Sequence, residues 1–182
     1  IKTPTSNQQD LIDSIVSLVR RLVDLAPASV TAVGFGIPSM IDQTRGRAIM
    51  SVNIPLADFD FVDYMRNELG LPVFIDNDAN VATLAETRAG AAAGAREVVM
   101  ITLGTGIGGG IITGGQVYRG ATGSAAALGD MVIDAHGPRC QGACHNHACF
   151  QHLAPGPSPK RAASGTTPAL PPPAPGHAPR PR

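Results

Sequence analysis

The fold is decided by the stretch LGTGIGGG, residues 103–110, which lies between two apolar runs. Residues 97–103 predict a strand, and residues 111–113 predict a second strand that enters a hairpin at Gly114 and Gly115. Five glycines in seven residues allow positive φ and can gather N–H groups into a concave site for an anion. We therefore expect a phosphate-binding loop between two strands at this point.

The same glycines satisfy the fingerprint G-x-G-x-x-G of dinucleotide-binding folds, through Gly104, Gly106 and Gly109. That fingerprint requires a helix directly after the glycines, because the pyrophosphate binds at the N-terminus of the helix. A predicted strand and hairpin follow instead, which excludes a dinucleotide-binding fold. A glycine-rich hairpin without a ligand stays open as the alternative to a phosphate loop.

A second stretch, LPVFIDNDAN at residues 71–80, joins a predicted strand at residues 72–76 to a predicted helix at residues 79–93. Asn77 or Asp78 at this junction could accept the first free N–H groups of the helix, which is ordinary N-capping. A carboxylate beside a phosphate loop can also take a proton from a hydroxyl that attacks a phosphoryl group. A neighbouring amide, such as that of Asn77, would bind sugar hydroxyls. N-capping and a role in catalysis are compatible when different residues of the turn perform them.

The rest of the first hundred residues alternates between helical and extended patterns. Ser6 is the predicted N-cap of an amphipathic helix, and Gly70 is the predicted C-cap of a helix over residues 59–69. Residues 30–36 and 47–52 predict strands. This alternation predicts a mixed α/β architecture.

The composition fits a globular chain. Among 182 residues, 43% are hydrophobic and 4% are aromatic, so we expect a core of Val, Ile, Leu and Ala. Lys plus Arg and Asp plus Glu balance at 14 each, which predicts neither a nucleic-acid surface nor a membrane surface. No apolar run reaches the length of about 18 residues that a membrane span needs. We expect a cytoplasmic protein of one domain, or of one domain plus part of a second.

Three cysteines follow one another as Cys140-x3-Cys144-x4-Cys149. An odd number of crowded cysteines argues against a disulfide framework and favours a reducing compartment and a metal. Three thiolates and one further ligand would make a closed structural zinc site, and His136, His145 and His147 lie among them. Free thiols in a loop stay open as the alternative.

The sequence changes character after Cys149. Ten of the sixteen prolines lie between Pro155 and Pro181, and no Asp or Glu follows Asp134. We expect residues 154–182 to lack packed structure, because they have no hydrophobic period. They are either a disordered basic tail or the product of a reading frame lost near Cys149.

Five motifs in order resemble those of the ROK family of sugar kinases, over about residues 3–151. They are GFGIP at residues 34–38 with Asp42, NIP at residues 53–55, the acidic turn at residues 71–80, the glycine stretch at residues 103–110, and YRGA at residues 118–121 with the cysteine cluster after it. Together they cover most of the chain outside the proline-rich end.

The resemblance implies an α/β fold of the actin-like ATPase (ribonuclease-H-like) type, with most of the first lobe and the start of the second. Residues 1–95 would be the remainder of the N-terminal sugar-binding lobe. Residues 96–151 would start the C-terminal ATP-binding lobe with its zinc loop, and residues 152–182 would be a disordered tail. The chain would be truncated at its N-terminus and would diverge from the family after about residue 151.

The resemblance also implies phosphoryl transfer from MgATP to a hexose, as in glucokinases, which convert glucose to glucose 6-phosphate. Asp78 would be the general base and Asn77 a ligand of the sugar hydroxyls. The ATP phosphates would bind at Gly104, Thr105, Gly106, Gly108 and Gly109. Zinc would bind Cys140, Cys144 and Cys149, with Asp130, His145 or His147 as fourth ligand. The family also suggests a homo-oligomer.

Four positions depart from the family pattern. Ala127 stands where a sugar-binding Glu is expected, Asp130 replaces a His that touches both sugar and zinc, Gln151 replaces a second sugar-contacting Glu, and Ser39 replaces a glycine. The opening phosphate motif, D-x-G-x-T, does not occur in this sequence. We therefore expect impaired catalysis. Two alternatives stay open, namely part of a sugar-sensing ROK transcription regulator and a non-catalytic remnant.

Overall fold

The structure is a computed structural model that describes residues 3–104, 106–140, 144 and 146–153. Within these residues the helices are α1 Gln8–Asp24, α2 Phe61–Leu69, α3 Asp78–Ala89 and α4 Phe150–Leu153, with a 3₁₀ turn at Leu128–Asp130. The strands are β1 Val33–Ile37, β2 Ser39–Asp42, β3 Arg47–Ser51, β4 Ala57–Phe59, β5 Val73–Asn77, β6 Val98–Leu103, β7 Ile107–Thr113 and β8 Gln116–Val117. Residues 3–95 are called the N-terminal region below, and residues 96–153 the C-terminal region.

The strands of the described residues form three small sheets. β1 and β5 pair in parallel, β2, β3 and β4 form an antiparallel sheet, and β6, β7 and β8 form another. The parallel register pairs Val33 with Val73 and Ile37 with Asn77. Parallel strands end at the same edge of their sheet, so β5 delivers the acidic turn to the edge where β1 runs into β2.

Helix α1 begins one residue later than predicted. Its N-cap is Asn7, whose Oδ1 accepts from the backbone N of Asp10 at 2.9 Å, whereas the Ser6 hydroxyl donates to the Asp10 side chain at 2.6 Å. The predicted cap at Ser6 is therefore wrong. The predicted C-cap of α2 is confirmed, because Gly70 has φ 65° and its N–H donates to the Arg66 carbonyl.

The hydrophobic core lies in the N-terminal region. Helix α2 packs on β5, and helix α1 packs on α2. Phe61 is fully buried, with its ring edge-on to that of Phe35 at a centroid distance of 5.1 Å. The buried members are Leu11, Ile12, Val16, Ile37, Ile41, Ala48, Leu56, Phe61, Met65, Val73 and Ile75. These are mostly aliphatic, as the composition predicts.

The glycine stretch differs from its prediction in one respect. β7 begins at Ile107, so residues 108–110 lie within a strand and pair with residues 100–102 of β6. The connection between the two strands is therefore residues 104–106. The hairpin is confirmed, since Gly114 and Gly115 have φ 59° and 82°.

Several boundaries also differ. Helix α3 ends at Ala89 rather than at residue 93, and β2 and β4 were not predicted. The predicted tail boundary at residue 152 falls inside α4, which runs to Leu153, and residues 154–182 lie outside the described residues. Among the described residues, none of the helices has the length and apolar character needed to cross a bilayer.

Candidate functional site

Asn77 caps helix α3. Its Oδ1 accepts from the backbone N atoms of Ala79 at 2.9 Å and Asn80 at 3.3 Å, and its Nδ2 donates to the Ser39 carbonyl at 3.3 Å. N-capping by Asn77 is therefore confirmed. Ser39 is buried, and its hydroxyl donates to the Met50 carbonyl at 3.0 Å, so this departure from the family pattern is accommodated. Within the described residues, the bond to the Ser39 carbonyl is the hydrogen bond that Asn77 Nδ2 donates, and it uses one of the two amide hydrogens.

Asp78 is the first residue of α3, at the positive end of the helix. Its Oδ1 accepts from the backbone N of Ala79 at 2.9 Å. The side chain is exposed, and within the described residues no hydrogen bond is recorded for its Oδ2. Asp78 therefore carries an exposed carboxylate beside a cap that holds the turn in place.

Asp76, which the sequence analysis did not assign, is the centre of a hydrogen-bond network behind this turn. Its Oδ2 accepts from Arg119 Nε at 3.0 Å and Nη2 at 2.5 Å. Its Oδ1 accepts from the backbone N of Asn77 at 2.8 Å, from Asn80 Nδ2 at 3.1 Å and from Gln43 Nε2 at 3.1 Å. Nothing in the sequence indicated an arginine 43 residues further on as the partner of Asp76.

The glycines of β7 allow that strand to approach helix α3. A Cβ on Gly108 would lie 2.7 Å from Thr102 Oγ1 and 3.4 Å from Ala79 Cβ, and a Cβ on Gly110 would overlap the Thr83 side chain. The predicted reason for these glycines, positive φ, is wrong for the described members of the stretch, none of which has positive φ. Close packing requires Gly108, Gly109 and Gly110 instead.

This packing brings the two predicted motifs to one end of α3. Gly110 packs against Thr83, in the second turn of the helix, and Gly108 packs against Ala79, in its first turn. Each strand residue advances the chain by about 3.3 Å, so Gly106, two residues before Gly108, lies beyond the first turn of the helix, on the side of Asp78. Thr105 lies outside the described residues.

Two of the departing residues contact each other. Gln151 Nε2 donates to Asp130 Oδ1 at 2.7 Å, and a Cβ on Gly106 would lie 3.1 Å from Gln151 Oε1. The Asp130–Gln151 pair therefore flanks the glycine connection. Ala127 is exposed just before the 3₁₀ turn and has no polar side-chain atom to offer.

The three cysteines converge as predicted. The Sγ atoms of Cys140, Cys144 and Cys149 all lie within 4.8 Å of one another, and those of Cys144 and Cys149 are 3.5 Å apart. Tetrahedral Zn–S bonds of about 2.3 Å place sulfurs roughly 3.8 Å apart, so the cluster has the size of a zinc site. Burial, helped by side-chain hydrogen bonds with Cys140 and Cys144, raises the pKa of Cys149 to about 12. A bound cation would reverse this preference for the neutral thiol.

The candidates for a fourth ligand are less well placed. Among the described residues Asp130 is not part of the thiol cluster, since its carboxylate binds Gln151, and His147 is not part of it either. His147 Nδ1 instead lies 3.2 Å from the Gly137 carbonyl. His145 lies outside the described residues.

The relationship of the chain to known proteins agrees with this geometry. The sequence model of the ROK family matches residues 1–173. The chain belongs to the ROK family. The match extends past residue 151, where the sequence analysis placed the end of the resemblance.

Among ROK relatives, a glucokinase of Halalkalibacterium halodurans is 36% identical over 151 residues, which are 82% of this chain and 44% of that protein. A putative xylose repressor of Caldicellulosiruptor sp. strain Rt8B.4 is 30% identical over 150 residues, which are 81% of this chain and 37% of the repressor. The chain thus spans less than half the length of both relatives.

Solved ROK structures give the fold. The chain is similar to a ROK family glucokinase from Streptomyces griseus in complex with glucose and AMPPNP, with a TM-score of 0.76 and 34% identity. The alignment covers 90% of this chain and 51% of the glucokinase. The predicted actin-like ATPase fold is confirmed, and this ROK chain covers part of its first lobe.

Proposed function

We propose that this chain is part of an ATP-dependent hexose kinase of the glucokinase type, which converts glucose to glucose 6-phosphate. The observation that carries the proposal is the position of Asp78, an exposed carboxylate at the N-terminus of α3, where the glycine strand β7 packs on the first turn of the helix. The identity to glucokinases supports the proposal, and a cytoplasmic location and a homo-oligomer remain predictions that accompany it.

In this proposal Asp78 is the general base. Its Oδ2 would accept the proton of the attacking sugar hydroxyl, and its Oδ1 would stay fixed by the backbone N of Ala79. The remaining amide hydrogen of Asn77 would donate to a neighbouring hydroxyl of the sugar. Because Asn77 also caps the helix, the residue that would bind the sugar and the residue that would act as base lie in the same rigid turn.

The glycine stretch supplies the other half of the reaction geometry. We assign the ATP phosphates to the backbone around Gly104, Thr105, Gly106, Gly108 and Gly109. Mg²⁺ bound to ATP would neutralise charge on the phosphates. The chain's own contribution is the close approach of β7 to α3, because side chains at Gly108 and Gly110 would separate the phosphates from Asp78.

The thiol cluster fits a structural zinc ion. Cys140, Cys144 and Cys149 would hold it, and its chemistry would be to crosslink the loop between the 3₁₀ turn and α4. The described residues supply three ligands to this cluster, so we expect weaker binding than at a site with four protein ligands.

We also propose that the chain as given is impaired. Ala127 cannot provide the carboxylate expected at its position, and loss of one charge-assisted hydrogen bond costs about 1.5–3 kcal/mol. Asp130 and Gln151 satisfy each other instead of presenting a His and a Glu to the sugar. Both changes affect the sugar side of the site and leave Asp78 in place.

A second candidate is the sugar-sensing part of a ROK transcription regulator. Its support is the 30% identity to a putative xylose repressor over 81% of this chain. A regulator needs to bind a sugar but does not need to transfer a phosphoryl group. Sugar binding without any turnover in a restored protein would favour this candidate.

The test is a coupled kinase assay on a chimera in which a glucokinase relative supplies the segments before and after this chain. The chimera also carries Ala127→Glu, Asp130→His and Gln151→Glu. We expect glucose-dependent turnover that Asp78→Asn lowers by about 10²–10⁴-fold. A matched control, Asp63→Asn on the exposed side of α2, should leave turnover unchanged. Turnover that survives Asp78→Asn would contradict the assignment of the base.

A further inference from the structure

One ion pair connects the two regions directly behind the Asn77–Asp78 turn. Arg119, just after β8, donates from Nε and Nη2 to Asp76 Oδ2 at 3.0 and 2.5 Å. The Asp76 side chain is 13% exposed, which makes it the most buried carboxylate among the ion pairs of the described residues. The exposed pairs on the surface, such as Arg20 with Glu68, contribute little to stability or position.

The other carboxylate oxygen of Asp76 holds the turn itself. Asp76 Oδ1 accepts from the backbone N of Asn77 and from the side chain of Asn80, the residues on either side of the Asp78–Ala79 segment. Among the described residues, the Oδ1 atom of Asn80 is buried without a hydrogen-bond partner. The side chain of Asn80 is therefore held through its Nδ2, which donates to Asp76. The orientation of Asp76 therefore fixes both flanks of the base.

The far end of the pair is anchored as well. The Arg119 carbonyl accepts from the backbone N of Ala125 at 3.1 Å. In the same loop a Cβ on Gly123 would lie 2.5 Å from the Ile41 carbonyl, so the loop after the hairpin packs on β2 of the N-terminal region. Arg119 thus joins this loop to the acidic turn.

We propose that Asp76 and Arg119 are a positioning pair, which holds Asn77 and Asp78 in the geometry that binds a sugar hydroxyl. Neither residue touches the substrate, because both act through the backbone and side chains of the turn. The mechanism is electrostatic, since a largely buried carboxylate that loses its cation must rehydrate or turn outward, and it then releases Asn77 and Asn80. The sugar-binding part of this inference rests on the proposed function.

The first experiment measures amide hydrogen exchange by NMR on the chain as it exists, and it needs no ligand. Arg119→Gln removes the charge and keeps a polar side chain. We expect exchange at Ala79 and Asn80, whose N–H groups bond to Asn77, to become about 10- to 100-fold faster, the factor given by loss of one charge-assisted hydrogen bond.

The matched control is Arg47→Gln, which breaks the ion pairs of another arginine, in this case with two carboxylates. Arg47 binds Asp58 and Asp60, each at 2.7 Å, on the sheet of β2, β3 and β4. This variant should leave exchange at Ala79 and Asn80 unchanged. Arg119→Lys keeps the charge but not the two-nitrogen contact, so we expect partial rescue. It also serves as the test variant if Arg119→Gln does not fold.

The second experiment titrates each protein with glucose and follows the same amide signals. Arg119→Gln should weaken glucose binding by at least about 10-fold and Arg119→Lys by less, whereas Arg47→Gln should not change it. If wild type binds no glucose, the sugar-binding part of this inference fails for this chain, and the exchange measurement alone decides the role of the pair.

Unchanged exchange at Ala79 and Asn80 in both Arg119 variants overturns the proposal. Acceleration of equal size throughout the chain also overturns it, because the pair would then stabilise the fold without a specific effect on the turn. Local acceleration with partial rescue by lysine supports it.

Discussion

The two regions of the chain bury their apolar residues to different extents. The core cluster draws all its members from residues 11–75 of the N-terminal region. In the C-terminal region, β6 packs one face toward the molecule but exposes Val99, Ile101 and Leu103 by 66%, 49% and 78%. The N-terminal region is therefore held by its own core, whereas the C-terminal region depends on α3, on the thiol cluster and on the contacts of Arg119.

This difference has a consequence for function. The turn with Asn77 and Asp78 is built on the region with the complete core, so its geometry is set by β5, α3 and the residues packed beneath them. The glycine connection, Asp130 and Gln151 belong to the region with less buried surface. We therefore expect substitutions in the N-terminal region and substitutions in the C-terminal region to affect sugar binding and phosphoryl transfer to different extents.

The largest effect is expected from the core of the N-terminal region. Phe61→Ala removes a fully buried ring that contacts Phe35 and Phe59, and it should lower the free energy of unfolding by about 3–5 kcal/mol. Chemical denaturation followed by circular dichroism measures this change. Leu22→Ala, at a side chain that is 57% exposed, is the control and should change stability by about 0.5 kcal/mol or less.

The next largest effect is expected from zinc in the C-terminal region. At a zinc concentration of about 100 times its Kd, binding should add about 2.7 kcal/mol to the stability of the folded state. Because burial raises the pKa of the Cys149 thiol to about 12, binding must displace its proton and should weaken as the pH falls. Thermal unfolding with zinc and with a mild chelator measures both effects.

Two variants sharpen the zinc prediction. Cys149→Ser should abolish the stabilisation by zinc, since it removes a thiolate from the cluster. Asp130→Ala should leave it unchanged, since that carboxylate binds Gln151. Loss of zinc binding in Asp130→Ala would mean that Asp130 is the fourth ligand after all.

A smaller effect is expected where the two regions meet. Gly110→Ala would place a Cβ against Thr83 and 3.1 Å from the Ala79 carbonyl, and overpacking of this kind costs about 1–3 kcal/mol. Hydrogen exchange should accelerate in β6 and β7 and much less in α1. Gly34→Ala is the control, because its Cβ would meet nothing within 4 Å. Equal exchange in both variants would contradict close packing as the reason for Gly110.

The smallest effect concerns the hairpin between β7 and β8. A hydrogen bond from the backbone N of Gly114 to Glu97 lowers the pKa of that carboxyl below its ordinary value of 4.5. A lowered pKa in the folded state adds stability above about pH 4.5, and that stability is lost as the pH falls through the lowered value. Glu97→Gln should remove this pH dependence with little change in overall stability, as measured by unfolding between pH 3 and 7. An unaltered pH profile would contradict this role.

Local sequence patterns were enough to predict much of this molecule. Alternating strands and helices, the Gly70 cap, the Gly114–Gly115 hairpin and the convergence of the three cysteines all follow from short-range rules. The cap of α3 by Asn77 also belongs to this group, since Asn at the end of a strand before a helix favours it.

Long-range contacts were beyond those rules. The partner of Asp76 lies 43 residues away, in the loop after β8. Glycines that are needed for packing look the same in the sequence as glycines that are needed for positive φ. The Asp130–Gln151 contact joins two departures that the family pattern treats separately. Each of these depends on how the sheets are placed against α3, which single-sequence patterns do not specify.

The most direct test of the account is a coupled assay of this chain, as it stands, with MgATP and glucose. Asp78 is proposed as the base, but the residues at the proposed sugar contacts, Ala127, Asp130 and Gln151, depart from the family pattern. Misplacement of about 1 Å alone can cost around 10²-fold in rate. We therefore predict turnover near background. Robust turnover that Asp78→Asn abolishes would contradict the claim of impairment, while it would support Asp78 as the base.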